Sequence, residues 1–119
     1  MAKVMTVEDS GLIRSIIKKS LVEEGHEVIE VASGKDAILK YETEKPDLVF
    51  MDINLPGISG IEATKEILRF DPQARVVMCT ILESENYKKD ALETGAKDYL
   101  VKPFSKNEIV EAVTRNLHD

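Results

Sequence analysis

The sequence has a single cysteine, and none of its apolar stretches approaches the roughly 20 residues that cross a bilayer. A disulfide framework within the chain is therefore excluded. Cys79 follows an apolar run and is expected to be a buried structural thiol. The N-terminus also lacks the long apolar segment of a signal peptide. These features predict a cytoplasmic protein that does not insert into membranes.

Positive charge is scarce as well, because 16 Lys and Arg residues stand against 22 Asp and Glu residues, a net charge of −6. Direct binding to nucleic acid is disfavoured, since it draws on clustered Lys and Arg side chains that neutralise phosphates. The sequence has no cluster of Cys and His for a zinc site. An acidic balance of this kind is compatible with a site for a divalent cation.

The chain is long enough for one domain, and strand-like runs alternate with helical patterns along all of it. The strand-like runs are 4–7, 28–31, 48–51, 76–79 and 99–101. Apolar residues between them recur every three or four positions, as they do in helices. Five such alternations predict an α/β fold with a five-stranded parallel sheet and helices on both faces.

Two of the predicted helices differ in their apolar patterns. The first, bounded by Ser10 and Gly25, carries one broad apolar stripe, which consists of Leu12, Ile13, Ile16, Ile17 and Leu21. The fourth, about 83–94, has a narrow stripe made only of Tyr87, Ala91 and Leu92. We expect the fourth helix to be the most loosely held and the natural place for a moving element, although a static, solvated helix is an equal alternative.

Polar residues mark the carboxyl end of four of the strands. These residues are Glu8 and Asp9 after the first strand, Asp52 at the third, Thr80 at the fourth and Lys102 at the fifth. In a doubly wound sheet of order 2-1-3-4-5, the first and third strands flank the crevice where ligands bind. Three carboxylates there would repel by on the order of 4 kcal/mol for each close pair at an effective dielectric of about 20.

A cation would offset that repulsion, and oxygen ligands favour Mg²⁺, with Mn²⁺ as a substitute. The alternative is that Glu8 and Asp9 only cap the first helix. A cation and a hydroxyl group at the same edge, Lys102 and Thr80, favour a site for a phosphoryl group, which Asp52 could accept as an acyl phosphate. Taken singly, the threonine could be structural and the lysine solvated. Lys102 precedes Pro103, which restricts it to extended backbone and permits a cis bond.

Four segments in this order resemble the receiver domain of two-component response regulators, and the resemblance covers residues 1–119. The segments are Val7-Glu8-Asp9-Ser10, the run from Leu48 through Asp52-Ile53-Asn54-Leu55-Pro56-Gly57 to Gly60, Thr80, and the run from Gly95 to Lys102-Pro103-Phe104. The resemblance implies a flavodoxin-like fold with Asp52 as phosphoacceptor. It also implies that Asp9, Asp52 and the Asn54 carbonyl bind Mg²⁺ directly, and that Glu8 acts mostly through water.

The same resemblance implies the partners and the switch. The phosphoryl donor would be a phosphohistidine on a histidine kinase or a histidine phosphotransfer protein, and the signal would pass to a downstream output protein, as in chemotaxis regulators. Thr80 would move toward the phosphoryl group and Tyr99 would rotate, which repacks the face formed by helix 4, strand 5 and helix 5. Such a protein catalyses its own phosphorylation and is a monomer or a phosphorylation-dependent dimer.

Three residues depart from the family pattern. Glu8 replaces the more usual first Asp, and metal binding should survive this change. Ile81 stands where a small residue is general, and it is expected to crowd access to the phosphoryl group. Leu82 is apolar at a position that influences attack by water, which predicts a longer-lived phosphoryl group.

Two other functions stay open at this stage. The first is a pseudo-receiver, an interaction module that keeps the fold without the chemistry, and the second is a phosphatase with an aspartyl-phosphate intermediate. Asn54 argues against the phosphatase, because such enzymes usually need a second Asp two residues after the nucleophile. The pseudo-receiver is disfavoured because the residues that the chemistry needs are intact: Asp9, Asp52, Thr80 and Lys102.

Overall fold

The computed structural model describes residues 1–81 and 85–117, with the backbone alone for 85–87. Strands and helices alternate as expected: β1 (Lys3–Val7), α1 (Gly11–Glu23), β2 (Glu27–Val31), α2 (Gly34–Glu44), β3 (Leu48–Asp52), α3 (Gly60–Phe70), β4 (Val76–Thr80), α4 (Glu85–Thr94), β5 (Asp98–Val101) and α5 (Lys106–Leu117). Leu82 and the expected start of the fourth helix at 83 lie outside the described residues. No helix in the described part of the chain is long and apolar enough to span a membrane.

The five strands form one parallel sheet in the order β2-β1-β3-β4-β5, which confirms the doubly wound, flavodoxin-like α/β fold. Strands β3 and β4 are buried along their whole length, Cys79 included. Helices cover both faces of these central strands. That is why their sequences are continuous apolar runs without polar alternation.

Side chains alternate between the two faces of the sheet and so form two separate cores. On one face, Met5, Val49 and Met78 pack with residues of α2, α3 and α4. On the other, Val4 and Phe50 pack with residues of α1 and α5. The sheet therefore divides the molecule into an α2–α4 layer and an α1/α5 layer.

The same alternation decides which way the residues at the strand ends face. Asp52 lies two positions after Phe50 and Lys102 two positions after Leu100, and both of these apolar residues belong to the α1/α5 core. Thr80 lies two positions after Met78, which belongs to the α2–α4 core. Asp52 and Lys102 therefore continue one face of the sheet, and Thr80 continues the other.

Serine residues fix the starts of the helices that flank this edge. The hydroxyl groups of Ser10 and Ser59 accept hydrogen bonds from the backbone N–H groups of Ile13 and Glu62, respectively. Ser105 and Glu108 form a reciprocal capping box at the start of α5. The loops that carry the polar residues are thus tied to the helices that follow them.

Helix α3 begins directly against the backbone of Asp52. A methyl group on Gly60 would lie 2.0 Å from the Asp52 carbonyl oxygen, a distance that backbone atoms cannot accommodate. The Gly60 N–H also donates to the Ile53 carbonyl at 2.9 Å. Only glycine allows this close approach, through which the start of α3 packs directly against the backbone at the end of β3.

Only part of the apolar stripe of α1 is buried. Ile17 and Leu21 of the predicted stripe are buried, but Leu12 is 74% exposed and Ile16 is 51% exposed. The stripe is wider than the part of the helix that the sheet and α5 cover, so one flank of it faces outward. In α4, Ala91 of the expected narrow stripe is buried, but Leu92 is 43% exposed, and the Tyr87 side chain lies outside the described part of the structure.

Candidate functional site

Three carboxylates meet at the carboxyl edge of β1 and β3. Glu8 and Asp9 directly follow β1, and Asp52 is the last residue of β3. Their ligand atoms lie within 4.8 Å of one another. Glu8 and Asp52 are buried, whereas Asp9 is exposed at the mouth of the crevice.

Lys102 joins this group from β5, 94 residues further along the chain than Glu8. Its Nζ atom contacts Oε1 of Glu8 and lies 3.3 Å from Oδ2 of Asp52. The other carboxylate oxygen of Glu8, Oε2, accepts a hydrogen bond of 3.0 Å from the N–H of Ser10. Both oxygens of Glu8 are therefore engaged by the protein. The Lys102–Pro103 peptide bond is cis.

Burial is the main cause of the shifted pKa of Asp52 in this cluster. Burial, with a smaller contribution from neighbouring Glu8, raises the pKa of Asp52 to about 6. Lys102 and the Asn54 N–H, 3.2 Å from Oδ1, act in the opposite direction without overcoming burial. Burial also opposes the charge of Lys102, but its contacts with Glu8 and Asp52 outweigh that effect and raise the pKa of Lys102. The cluster is thus short of positive charge.

The other expected site residues occupy different places. Thr80 is buried at the end of β4, and its carbonyl accepts the Lys102 N–H at 2.7 Å. The Asn54 side chain is exposed in the loop after β3. Tyr99 is half-buried in the α2–α4 layer, opposite Met78 in the sheet. The structure therefore brings Glu8, Asp9, Asp52 and Lys102 together, with Thr80 at the same edge and Tyr99 apart from it.

The rim of the crevice carries an apolar groove that the sequence pattern did not identify. The groove has a volume of about 290 Å³ and is lined by Ile13, Ile16, Ile81, Lys102, Pro103 and Phe104. Ile81 is 66% exposed there, next to exposed Ile16. The sequence signal for it was the outer flank of the apolar stripe in α1.

Arg14 is the second feature that sequence reasoning missed. Its Nη1 donates to the backbone carbonyl of Glu8 at 2.6 Å, and its Nε lies 3.4 Å from Oε1 of Glu30. Nothing in the local sequence distinguishes Arg14 from the exposed lysines of the same helix. Its role follows only from the three-dimensional path of the loop after β1.

The crevice residues suit a hard divalent cation. Every candidate ligand atom is an oxygen, and the side chains supply three carboxylates within one short span. Lys102 brings one positive charge to these three carboxylates, so its charge alone does not balance theirs. The residues present therefore fit Mg²⁺.

The pKa of Asp52 predicts how stability depends on pH. In the unfolded chain Asp52 titrates near pH 4, whereas in the fold its pKa is about 6. Between these values the folded state holds a proton that the unfolded state lacks, so this contribution to stability falls as the pH rises and is constant above about pH 6. Asp52→Asn is therefore expected to stabilise the protein at neutral pH by on the order of 2 kcal/mol, with a small difference near pH 4.

Urea unfolding in the presence of a chelator at several pH values measures this effect. The matched control is Asp90→Asn, which removes an exposed carboxylate of α4 and should change stability little. Equal stability of Asp52→Asn and the parent at neutral pH would contradict the prediction.

Known proteins resemble this chain in sequence and in fold. Residues 4–114 match the family model of the response regulator receiver domain. The chemotaxis protein CheY of Bacillus subtilis (strain 168) is 41% identical over 117 residues, 98% of each chain. Vibrio cholerae chemotaxis protein CheY4 superposes with a TM-score of 0.94 at 31% identity, over 98% of this chain and 99% of its own.

A chain in the CheX–CheY–BeF₃–Mg²⁺ complex of Borrelia burgdorferi superposes with a TM-score of 0.93 at 32% identity, over 98% of this chain and 90% of its own. These likenesses in sequence and in fold span nearly the whole chain. The chain belongs to the receiver-domain family of two-component response regulators.

Proposed function

We propose that this chain is a phosphorylation-dependent signalling switch that accepts a phosphoryl group on Asp52 from the phosphohistidine of a histidine kinase or a histidine phosphotransfer protein. The observation that carries this proposal is the buried Asp52 carboxylate at the end of β3, 3.3 Å from the Lys102 ammonium and beside two further carboxylates. The nucleophile, its counter-charge and a cation site thus lie in one crevice.

In the transfer, an oxygen of Asp52 attacks phosphorus while the bond from phosphorus to the donor imidazole nitrogen breaks. The product is an acyl phosphate. The departing imidazole leaves in its neutral form, either because its other ring nitrogen keeps a proton or because the released nitrogen takes one up from solvent. Phosphoryl transfer depends mainly on positioning and charge stabilisation. The Lys102 ammonium neutralises phosphoryl oxygens, and we assign the Thr80 hydroxyl as a hydrogen-bond donor to them.

We assign Mg²⁺ to Asp9, Asp52 and the Asn54 carbonyl, with Glu8 acting mostly through water. When bound, the ion supplies positive charge for the phosphoryl oxygens. The Borrelia burgdorferi complex supports this assignment, because it contains both Mg²⁺ and BeF₃ with a chain of the same fold. The oxygen-only ligand set of this chain supports it independently.

The two alternatives fit the site less well. A pseudo-receiver has no need to keep three carboxylates and the Lys102 ammonium close together at the cost of carboxylate repulsion. A phosphatase needs an acid/base group close to its aspartyl phosphate, and the residue two after Asp52 is an exposed asparagine. We therefore propose that the chain catalyses its own phosphorylation. We also place it in the cytoplasm, as a monomer or a phosphorylation-dependent dimer.

A protein donor has to contact the rim of the crevice in order to reach Asp52. The groove beside Lys102 gives that rim an apolar surface, with Ile16 and Ile81 exposed at its edge. Exposed apolar side chains around a charged centre are typical of protein interfaces. We assign this groove to the phosphodonor protein.

Signal output is proposed to run through the β5 edge of the sheet, where β5 contacts both α4 and α5. Thr80 continues the sheet face on which Tyr99 and α4 lie. Movement of Thr80 toward a phosphoryl group would leave space on that face, and Tyr99 is the large side chain placed to fill it. The result is a shift between two packed arrangements of α4, β5 and α5, which a downstream protein distinguishes.

The first test is incubation of the protein with Mg²⁺ and acetyl phosphate. We expect intact-mass spectrometry to show one added phosphoryl group on the parent and none on Asp52→Asn. A parent that gains no mass would support the pseudo-receiver. Rapid, continuous release of phosphate with a small steady-state adduct would support the phosphatase.

The second test separates the donor surface from the chemistry. Ile16→Asp is expected to slow transfer from a phosphorylated histidine kinase that is active on the parent by about tenfold, because a charge replaces an apolar contact. Its rate with acetyl phosphate should be unchanged, since a small donor needs no rim. Val22→Asp is the matched control, because Val22 is also half exposed on α1 but does not line the groove. Equal kinase rates for the Ile16 variant and the parent would refute this surface.

The third test concerns the switch. Addition of BeF₃ and Mg²⁺ is expected to shift the amide NMR signals of α4, β5 and α5 in the parent. The reason is that a phosphoryl-like group on Asp52 attracts the Thr80 hydroxyl and moves the Thr80 side chain. In Thr80→Ala the shifts should be confined to the crevice. Signals across that face that stay unchanged in the parent would exclude the proposed repacking.

A further inference from the structure

We propose that Arg14 is a positioning residue for metal binding: by holding the backbone carbonyl of Glu8, it sets the peptide that orients the Asp9 carboxylate. This inference rests on the proposed function, because Asp9 is assigned there as a ligand of Mg²⁺. Arg14 itself does not contact the ion in this assignment. It acts through the backbone of the loop between β1 and α1.

The guanidinium of Arg14 spans two elements. Nη1 donates to the Glu8 carbonyl oxygen at 2.6 Å, and Nε lies 3.4 Å from Oε1 of Glu30 at the end of β2. The Arg14 side chain is only 23% exposed. A planar fork with several donors can bridge two acceptors in this way, whereas a lysine ammonium is a single point of charge.

Asp9 depends on this bridge more than its neighbours do. The Glu8 carboxylate is held by Lys102 and by the Ser10 N–H. Asp52 is held by Lys102 and by the Asn54 N–H. By contrast, no hydrogen bond or ion pair of the Asp9 carboxylate exists within residues 1–81 and 85–117. Within this described part of the chain, the direction of the Asp9 carboxylate is set by its own backbone.

The peptide between Glu8 and Asp9 is the unit that the fold constrains. A peptide group is planar, so fixing the Glu8 carbonyl also fixes the direction of the Asp9 N–H and limits where its Cα lies. The Glu8 N–H donates to the Val31 carbonyl at 3.0 Å, which secures the peptide on the other side of Glu8. Arg14 supplies the second constraint from α1, and its own partner Glu30 lies next to Val31 in β2.

Positioning and simple electrostatics predict opposite results when Arg14 is removed. A nearby cation repels Mg²⁺, so deletion of its charge alone would strengthen Mg²⁺ binding. Loss of a positioning contact would weaken binding, because Asp9 would adopt several directions. The sign of the change in affinity therefore distinguishes the two roles.

Lys18 provides a matched control on the same helix. Its Nζ lies 3.1 Å from Oε2 of the same Glu30 carboxylate, but its side chain is 49% exposed. Within the described residues it makes no hydrogen bond to the loop after β1. Removing Lys18 thus removes one positive charge and one contact with Glu30 while leaving the Glu8 carbonyl in place.

The experiment is calorimetric titration of the phosphate-free protein with Mg²⁺. Arg14→Met is expected to bind Mg²⁺ about tenfold more weakly than the parent, the lower end of the range for groups that support metal ligands indirectly. Arg14→Lys, which keeps the charge but not the fork, should also bind more weakly. Lys18→Met should bind as tightly as the parent or slightly more tightly.

A second readout needs no metal. In the presence of a chelator, the Asp9 amide signal should shift in Arg14→Met and Arg14→Lys and should stay in place in Lys18→Met. If Arg14→Met does not fold, Arg14→Lys decides the question, because charge alone predicts no change for it.

Mg²⁺ affinity of both Arg14 variants equal to or tighter than that of the parent would overturn the inference. That result is distinguishable from a failure of the proposed function. In the latter case the parent itself would neither bind Mg²⁺ nor gain a phosphoryl group from acetyl phosphate.

Discussion

Mutual repulsion of carboxylates is the constraint around which this molecule is organised. Glu8, Asp9 and Asp52 lie close together, and two of them are buried, where an unpaired charge is costly. The sheet prevents them from separating, because each follows a strand that is held in register on both sides. Lys102 and backbone N–H groups relieve only part of this cost. The remaining deficit of positive charge is why these residues suit a divalent cation, as the proposed function requires.

The alternation of side chains along the strands turns this edge into an ordered site. Asp52 and Lys102 belong to the α1/α5 face, so they can touch across the sheet edge although β4 lies between their strands. Thr80, on β4, belongs to the α2–α4 face. A chemical change at Asp52 can thus affect both layers, while the apolar cores beneath it stay separate.

The sequence predicted the structure well wherever a local pattern of residues decides the fold or the position of a side chain. Unbroken apolar runs predicted the central strands, and strand ends predicted the placement of Asp52, Thr80 and Lys102 at one edge. It was less informative where the answer depended on how much of a surface is covered. The apolar stripe of α1 indicated which side of the helix is apolar, but the width of the sheet decided that Leu12 and Ile16 stay exposed. The contact of Lys102 with Glu8 and that of Arg14 with the Glu8 carbonyl depend on loop paths that no local pattern encodes.

The close packing of Gly60 behind Asp52 also makes the site mechanically asymmetric. With the first turn of α3 pressed against its carbonyl, the end of β3 cannot recoil when a bulky, charged group is attached in front of it. In the proposed switch, displacement is therefore directed away from β3. Gly60, which has no side chain, then acts as a rigid stop behind the phosphorylated residue.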